Sequence, residues 1–260
     1  MTGAALPKRA LGQHFLVDPN ILRVIGRLAG LDDKDVVLEI GPGLGVLTCY
    51  LADRAQHVHA VEIDRELEAT LREAIGSRRN VDLVFGDATR LDLRSLRPRP
   101  AKLVANLPFN VAASIVVDSL ERLTSIESWC VMVQKEVGER FFAATKTKAY
   151  GAVSVLVQLS ARRTGTHPVS RTVFRPRPRV DSLLVGFARL PAPPDLDKIK
   201  PVVQAAFAHR RKTLPNSLEL AGLVSRDRAA DALAALGHGA STRAEALTPE
   251  EFARLPDLLA

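Results

Sequence analysis

The chain has 260 residues, of which 47% are hydrophobic and 25% charged, so it can bury a sizeable core. This composition excludes a disordered chain, and no apolar run reaches the roughly 18 residues of a membrane span. The first residues lack the apolar core of a secretory signal, so we expect a cytoplasmic protein.

The net charge of +7 is unevenly distributed along the chain. Residues 139–190 contain ten Lys and Arg residues and two acidic residues, a net charge of +8, whereas residues 193–260 contain nine of each. Clustered cations neutralise phosphates, which favours nucleic acid over a membrane surface as the partner, with a solvated basic surface as the alternative. The predicted RNA-binding residues are Arg162, Arg163, Arg175, Arg177, Arg179, Arg210, Arg211 and Lys212.

In chain order, a helix is predicted over residues 20–30, followed by short β-branched strands that alternate with helical segments. This alternation predicts βαβ units and an open, doubly wound parallel sheet, with a ligand beyond the carboxyl ends of its strands. Residues 152–161 are ambiguous between helix and strand. The predicted strands are residues 36–40, 57–63, 81–86, 102–106, 129–134 and 182–190.

The Pro-rich residues 191–194 separate the α/β region from Ala- and Leu-rich helical segments. We therefore predict an α/β domain over residues 1–192 and a small all-α domain over residues 193–260. Because coiled-coil heptads are lacking, the chain is predicted to be a monomer. Cys49 and Cys130 lie in apolar runs without metal-ligand spacing, and no metal site is predicted.

A glycine-rich turn, residues 41–45 (GPGLG), follows the first strand of the predicted sheet. Glycines let the backbone approach a ligand closely at the start of a helix. The dinucleotide pattern G-x-G-x-x-G would need a small residue at position 46, where the chain has Val46. G-x-G-x-G after an acidic residue is instead typical of S-adenosylmethionine-dependent methyltransferases, which have a Rossmann-like fold.

Acidic residues stand at the ends of the next two strands. Glu62 is placed to accept hydrogen bonds from both ribose hydroxyls of the cofactor, and Asp87 from its adenine amino group. Each residue alone is more often a turn or helix-cap residue. Three signals at successive strand ends predict S-adenosyl-L-methionine as the cofactor.

The fourth strand ends in Asn106, Leu107, Pro108 and Phe109, which we predict to be the catalytic residues. An adenine amino nitrogen is a poor nucleophile because its lone pair is conjugated into the ring. The Asn106 side-chain oxygen and the Leu107 carbonyl can accept its hydrogen bonds, Pro108 fixes the turn, and Phe109 can stack on the base. An ordinary β-turn is the alternative. The target adenine must be unpaired or flipped.

Six segments in order resemble the KsgA-type ribosomal RNA small-subunit adenine dimethyltransferases over nearly the whole chain. They are LGQHFLVD (11–18), EIGPGLG (39–45), NLPFN (106–110), QKEVGER (134–140), FRPRPRVDS (174–182) and FAHRRKTLPNSL (207–218). The resemblance implies dimethylation at N6 of two adjacent adenines near the 3′ end of small-subunit rRNA. It also implies a role in assembly of the pre-30S particle.

Carried over by position, the resemblance implies a cofactor site and a surface for the target base. Phe109, and Phe174 as a second platform, would contact the base. Phe109 stands where Tyr is common and His14 where Asn is common; the phenyl ring keeps a stacking face. The implied cofactor contacts are His14, Leu16, Gly41, Gly43, Glu62, Asp87 and Asn106.

Three alternatives share part of this pattern. A 23S rRNA adenine methylase of the erythromycin-resistance type shares the fold and the NxPF motif, but the segment at residues 207–218 favours the small-subunit enzyme. A non-catalytic rRNA-binding assembly factor would have no need of Gly41, Glu62, Asp87 and Asn106 together. A DNA adenine methylase would usually need a recognition domain larger than residues 195–260.

Overall fold

The computed structural model describes residues 13–260, so Leu11 and Gly12 of the first motif, and the predicted absence of a secretory signal, lie outside it. The strands are β1 (Phe15–Leu16), β2 (Val36–Ile40), β3 (His57–Glu62), β4 (Val81–Phe85), β5 (Lys102–Asn106), β6 (Ser128–Gln134), β7 (Ala161–Val169), β8 (Phe174–Arg175) and β9 (Ser182–Arg189). The helices are α1 (Pro19–Ala29), α2 (Val46–Ala52), α3 (Glu68–Ile75), α4 (Ala112–Arg122), α5 (Lys135–Phe141), α6 (Ala152–Ser160), α7 (Leu196–Ala208), α8 (Leu214–Leu220), α9 (Arg226–Ala235) and α10 (Pro249–Leu259).

Seven strands form one sheet in the order β4-β3-β2-β5-β6-β9-β7. Strands β2 to β6 are all parallel, through the pairs β4–β3, β3–β2, β2–β5 and β5–β6. This arrangement confirms the predicted α/β, Rossmann-like fold. The sheet is mixed rather than wholly parallel, because β9 runs antiparallel to β6. An antiparallel strand beside a parallel sheet is common in doubly wound folds.

The central strands are apolar on both faces because helices cover the sheet on both sides. Every residue of β2 is buried, including the charged Glu39. The predicted helix at residues 20–30 is confirmed as α1. The Asp18 side chain caps its first turn by accepting from the Asn20 N–H, and Gly30 ends it at a φ of 54°.

The described chain divides into two compact units. The first contains the described part of residues 1–138 and residues 163–189, and the second contains residues 139–162 and 190–260. This division differs from the predicted boundary at residues 192 and 193, because α6 packs against α7 and α10. The ambiguous segment at residues 152–161 is mostly helical, and its side chains are largely buried. The domain boundary from sequence stays a prediction.

The second unit is built from α6 to α10, which confirms the helical C-terminal region. Its core includes the ring of Phe252, which lies 5.6 Å from that of Phe207. Tyr150 is fully buried and donates its hydroxyl hydrogen bond to the Leu247 carbonyl at 2.8 Å, and burial raises the pKa of this hydroxyl. Over residues 13–260, the helices are too short or too polar to cross a bilayer.

Candidate active site

The glycine-rich turn leads from β2 into α2. Gly41, Gly43 and Gly45 have φ angles of 76°, 60° and 82°, in the left-handed region that favours glycine. A Cβ atom on Gly43 would lie 2.9 Å from Cδ1 of Phe15, so the backbone and this ring are in close contact. The turn therefore presents bare backbone to the space beyond the sheet, as the sequence predicts.

Glu62, at the carboxyl end of β3, is buried and holds this turn in place. Its Oε2 atom accepts a hydrogen bond from the Gly43 N–H at 3.1 Å, and Oε1 accepts one from the Asp64 N–H at 2.9 Å. Burial raises the pKa of Glu62, although these backbone donors act in the opposite direction. Each oxygen keeps a lone pair for a ligand hydroxyl.

Glu39 lies one strand away in the same pocket. Its side chain is buried, and within the described residues its Oε2 atom makes no hydrogen bond. Burial raises the pKa of Glu39 to about 8, and the nearby Glu62 carboxylate shifts it in the same direction. Sequence reasoning used Glu39 only as the acidic residue of the glycine pattern; its position two residues before Gly41 was the signal for a site residue.

Asn106 ends β5, and its amide is oriented by the N-terminal segment. The Nδ2 atom donates a hydrogen bond to the His14 carbonyl at 3.0 Å, and this bond identifies the other atom of the amide as the oxygen, Oδ1. Oδ1 is buried, and among the described residues it has no hydrogen-bond donor. An amide oxygen without a donor is costly to bury, which marks Oδ1 as an acceptor reserved for a ligand.

The other three residues of this motif surround Asn106. Leu107 is buried, and its N–H donates to the Met132 carbonyl at 3.0 Å, which fixes the turn against β6. Phe109 is half-buried, and its ring centroid lies 5.1 Å from that of His14. Pro108 lines the same pocket as its two neighbours.

The N-terminal segment is held beside this site by residues far along the chain. Strand β1 pairs with β8 in an antiparallel manner, and the Val17 N–H donates to the Val173 carbonyl at 2.9 Å. The His14 ring bonds the Pro176 carbonyl at 2.7 Å, and Gln13 donates to Asp64 at 3.1 Å. The described part of the first sequence motif, residues 13–18, is therefore held beside the pocket by residues of the 174–182 motif.

These elements surround one cavity of about 660 Å³, a volume that includes its open mouth. The cavity brings together most of the residues that the sequence assigns to the cofactor and the target base. The predicted residues that line it are His14, Leu16, Gly41, Gly43, Glu62, Asn106, Leu107, Pro108 and Phe109.

Two predicted site residues do not line this cavity. Asp87 follows β4, and its Oδ1 atom accepts from the Thr89 hydroxyl at 2.7 Å and the Thr89 N–H at 2.9 Å. These hydrogen bonds lower the pKa of Asp87, which keeps it ionised. Phe174 is fully buried in a hydrophobic cluster with Leu16 and Met132. A ring with no open face cannot stack on a base, so the structure does not bring Phe174 into the site.

Side-chain alternation explains the position of Phe174. The residue is paired with Leu16 across β1 and β8, and both side chains point into the core, while the next residue, Arg175, is exposed. The resemblance carried Phe174 over by its position in a motif, and that position does not determine which face of a two-residue strand is buried.

All eight predicted RNA-binding residues are exposed. In the first unit, Arg163, Arg175, Arg177 and Arg179 have free access to solvent at their side chains. In the second unit, Arg210 uses part of its guanidinium to donate to the Lys148 and Tyr150 carbonyls. The remaining residues of the set in that unit are Arg162, Arg211 and Lys212.

Comparisons with known proteins agree with this geometry. A family model described as ribosomal RNA adenine dimethylase matches residues 5–260. A Ribosomal RNA small subunit methyltransferase A of Rubrobacter xylanophilus is 50% identical over 96% of this chain and 94% of its own, and one of Moorella thermoacetica is 43% identical over 96% and 91%.

Solved structures show the same fold. A dimethyladenosine transferase from Plasmodium falciparum matches with a TM-score of 0.76 at 23% identity, over 93% of this chain and 96% of that one. The 23S rRNA methyltransferase ErmE matches with a TM-score of 0.66 at 28% identity, over 94% and 99%. The resemblance predicted from the six motifs is thus confirmed, and the chain belongs to the ribosomal RNA adenine dimethylase family.

Proposed function

We propose that this protein transfers methyl groups from S-adenosyl-L-methionine to N6 of two adjacent adenosines in a loop near the 3′ end of 16S rRNA. The product is N6,N6-dimethyladenosine at both positions. The observation that carries this proposal is Asn106 Oδ1, a buried acceptor with no donor among residues 13–260, beside an acid-lined cavity and a glycine turn. A neutral acceptor is what an amino group needs when it attacks a methyl donor.

The residues of the cavity fit the cofactor, which supplies an electrophilic methyl group on a sulfonium when bound. Glu62 would accept hydrogen bonds from the ribose hydroxyls. Glu39, whose Oε2 has no partner in the part of the chain that the structure describes, would accept one from the ammonium group. The bare backbone of Gly41 and Gly43 leaves room for the cofactor chain. Asp87 lies outside the lining of this cavity; as a carboxylate it would accept a hydrogen bond from the adenine amino group.

The target base would be held by the motif at the end of β5. Asn106 Oδ1 and the Leu107 carbonyl accept hydrogen bonds from its N6 amino group, which directs the nitrogen lone pair toward the methyl group. Phe109 supplies a stacking face, worth about 1–3 kcal/mol per base in nucleic-acid sites. Because the nitrogen becomes cationic on attack, its proton leaves readily, and no strong general base is required.

The small-subunit substrate is supported by the two relatives that are 50% and 43% identical and carry that name. The alternative is a 23S rRNA adenine methylase, which the 28% identity to ErmE over nearly the whole chain keeps as a second candidate. The exposed arginines supply the positive charge that either rRNA would need. An assembling small subunit as the substrate also makes the cytoplasm the proposed location.

The experiment is methyl transfer from labelled S-adenosyl-L-methionine to unmethylated small and large ribosomal subunits in parallel, with modified positions mapped by mass spectrometry. We expect dimethyladenosine at two adjacent small-subunit positions. Asn106→Ala should lower the rate by about 10²–10³-fold, as for loss of other groups that stabilise a reacting centre, with cofactor affinity changed far less.

The exposed Asn20 provides the matched control, since Asn20→Ala removes the same amide outside the six motifs. Its turnover should equal that of the wild type. Label in the large subunit alone would identify the protein as a 23S rRNA adenine methylase. Cofactor binding without label in either subunit would favour an assembly factor, and an active Asn106→Ala protein would remove Asn106 from the chemistry.

A further inference from the structure

A second group of polar side chains lies at the opposite edge of the sheet from the cavity. His57 is the first residue of β3, and His59 follows at i+2, so both project from one face of the strand. Asp82, on β4, is the register partner of His59 and shares that face. Glu62 ends the same strand at its carboxyl edge, so this cluster stands apart from the cofactor site.

The donor atoms of the three side chains converge. Nε2 of His57 lies 2.9 Å from Oδ2 of Asp82, Nδ1 of His59 lies 3.5 Å from the same oxygen, and all the ligand atoms are within 4.8 Å of one another. In a tetrahedral zinc site with metal–ligand distances of 2.0–2.1 Å, neighbouring ligand atoms are about 3.3 Å apart. The distances of 2.9 Å and 3.5 Å from the histidine nitrogens to Asp82 Oδ2 are close to this value.

His59 is oriented as a metal-binding histidine would be. Its Nε2 atom is 2.8 Å from the Pro98 carbonyl, which can only accept, so Nε2 carries the proton. Such a bond to a backbone carbonyl is the usual support for a metal-ligating imidazole, and it leaves Nδ1 as the lone-pair nitrogen. The ring is 1% exposed, and Nδ1 makes no hydrogen bond in the described residues.

The position of Nδ1 is unfavourable unless a cation separates it from the carboxylate. Because Nε2 holds its proton on the Pro98 carbonyl, Nδ1 faces the Asp82 oxygen 3.5 Å away as a second acceptor. Two acceptors without a bridging proton or ion repel each other. A metal ion between them removes this repulsion.

We propose that His57, His59 and Asp82 bind one divalent transition-metal ion, for which two imidazoles and a carboxylate make Zn²⁺ the best fit. On binding, the proton that His57 Nε2 shares with Asp82 is released to solvent. Asp82 is half-exposed, so water can occupy the fourth position. Because β4 is an edge strand of the sheet, the ion would fasten it to β3.

The test is titration of the full-length protein, free of any histidine tag, with ZnCl₂ alone, followed by calorimetry and metal analysis after dialysis. We expect one tight site per chain. Asp82→Asn and His57→Gln leave the buried His59 in place and should each weaken binding at least tenfold. Saturating Zn²⁺ should raise the melting temperature of the wild type by about 5 °C and leave both variants unchanged.

The matched control is His238→Gln, because His238 and Glu251 form a histidine–carboxylate pair at 2.9 Å, and the described residues offer no third ligand there. Its zinc affinity and stoichiometry should equal those of the wild type. Two results would overturn the proposal: failure of the wild type to retain zinc, or retention of wild-type affinity by both Asp82→Asn and His57→Gln. The latter would mean that zinc binds elsewhere and that a proton bridges His59 and Asp82.

Discussion

At the scale of single residues, the cavity is distinguished by acceptors that the protein does not satisfy itself. Oδ1 of Asn106 and Oε2 of Glu39 are both buried without a donor in the described structure. Such atoms cost stability in the free protein, and a bound ligand that donates to them regains part of it. Hydrogen bonds that the unliganded protein does not make at these atoms therefore contribute to the free energy of ligand binding.

Glu39 gives a prediction on stability. Its pKa is about 8 in the folded protein and near 4.5 when unfolded, so the folded state holds a proton that the unfolded chain loses between these values. The stabilisation from this proton is complete below pH 4.5 and is lost as the pH rises through 8, by up to about 1.4 kcal/mol per pH unit.

Glu39→Gln should therefore gain stability relative to the wild type as the pH rises from 5 to 8. Urea unfolding at pH 5, 6.5 and 8 measures this difference. The exposed Glu127→Gln serves as the control and should show no trend. A difference between Glu39→Gln and the wild type that is constant with pH would mean that Glu39 is ionised throughout.

Sequence reasoning reached several of these residues through their position alone. Glu62 and Asn106 stand at strand ends, where a parallel sheet collects its ligand groups, and both line the cavity. Phe174 was beyond this reasoning, since its direction depends on the pairing of β8 with β1. The proton on Glu39 was equally hidden, because it depends on burial by neighbours from several elements.

At the scale of elements, apolar periodicity identified the parallel strands and α1. The capping residues of α1, Asp18 and Gly30, are recognisable in the sequence. Apolar periodicity missed β7, which stands at an edge of the sheet and is exposed along most of its length. Charged side chains on an edge strand discourage pairing with a further strand. Because such a strand pairs through its backbone and carries charged residues, it lacks the apolar pattern by which strands are recognised. Arg162 and Arg163 are two such charges.

The glycine turn allows a test with an internal control. Gly43→Ala and Gly30→Ala both place a side chain in left-handed backbone, at a cost of about 1–2 kcal/mol. At Gly43 the new Cβ meets Phe15 at 2.9 Å, whereas at Gly30 no atom of the described residues lies within 4 Å.

We expect both variants to be destabilised, and Gly43→Ala alone to lose cofactor affinity, by about tenfold or more. Chemical denaturation and calorimetry with S-adenosyl-L-methionine give the two quantities. Equal cofactor affinity in the two glycine variants would show that the turn does not approach the cofactor.

At the scale of the whole molecule, the distribution of positive charge suits the proposed RNA partner. The +8 of residues 139–190 exceeds the net charge of the chain, and the arginines of residues 174–182 are exposed. Electrostatic attraction to phosphate is non-directional, so composition could predict it. The division of the chain at residue 139 could not be predicted in this way, because it falls inside α5, and because α6 joins the helical unit through apolar packing.

Replacing Arg175, Arg177 and Arg179 together with Gln should lower the salt dependence of RNA binding. Each phosphate contact with single-stranded RNA contributes about 0.7 to the slope of log K against log salt, so three contacts predict a decrease of about 2. Filter binding at several KCl concentrations measures it. The exposed residues Arg226, Arg243 and Arg254 form the control triple. An unaltered slope in the first variant would place residues 174–182 away from phosphate.

The pairing of β1 with β8 also sets an order of events during synthesis. One wall of the cavity, at His14 to Leu16, pairs with residues about 160 positions later in the chain. Contacts of such separation close slowly, and here they cannot form until Arg175 has emerged from the ribosome. At about 5–20 residues per second, the nascent chain takes about 2–8 seconds from the end of β6 to Arg175, with the five parallel strands made but the proposed cofactor pocket incomplete. The enzyme therefore acquires its cofactor site only when more than two-thirds of it has been translated.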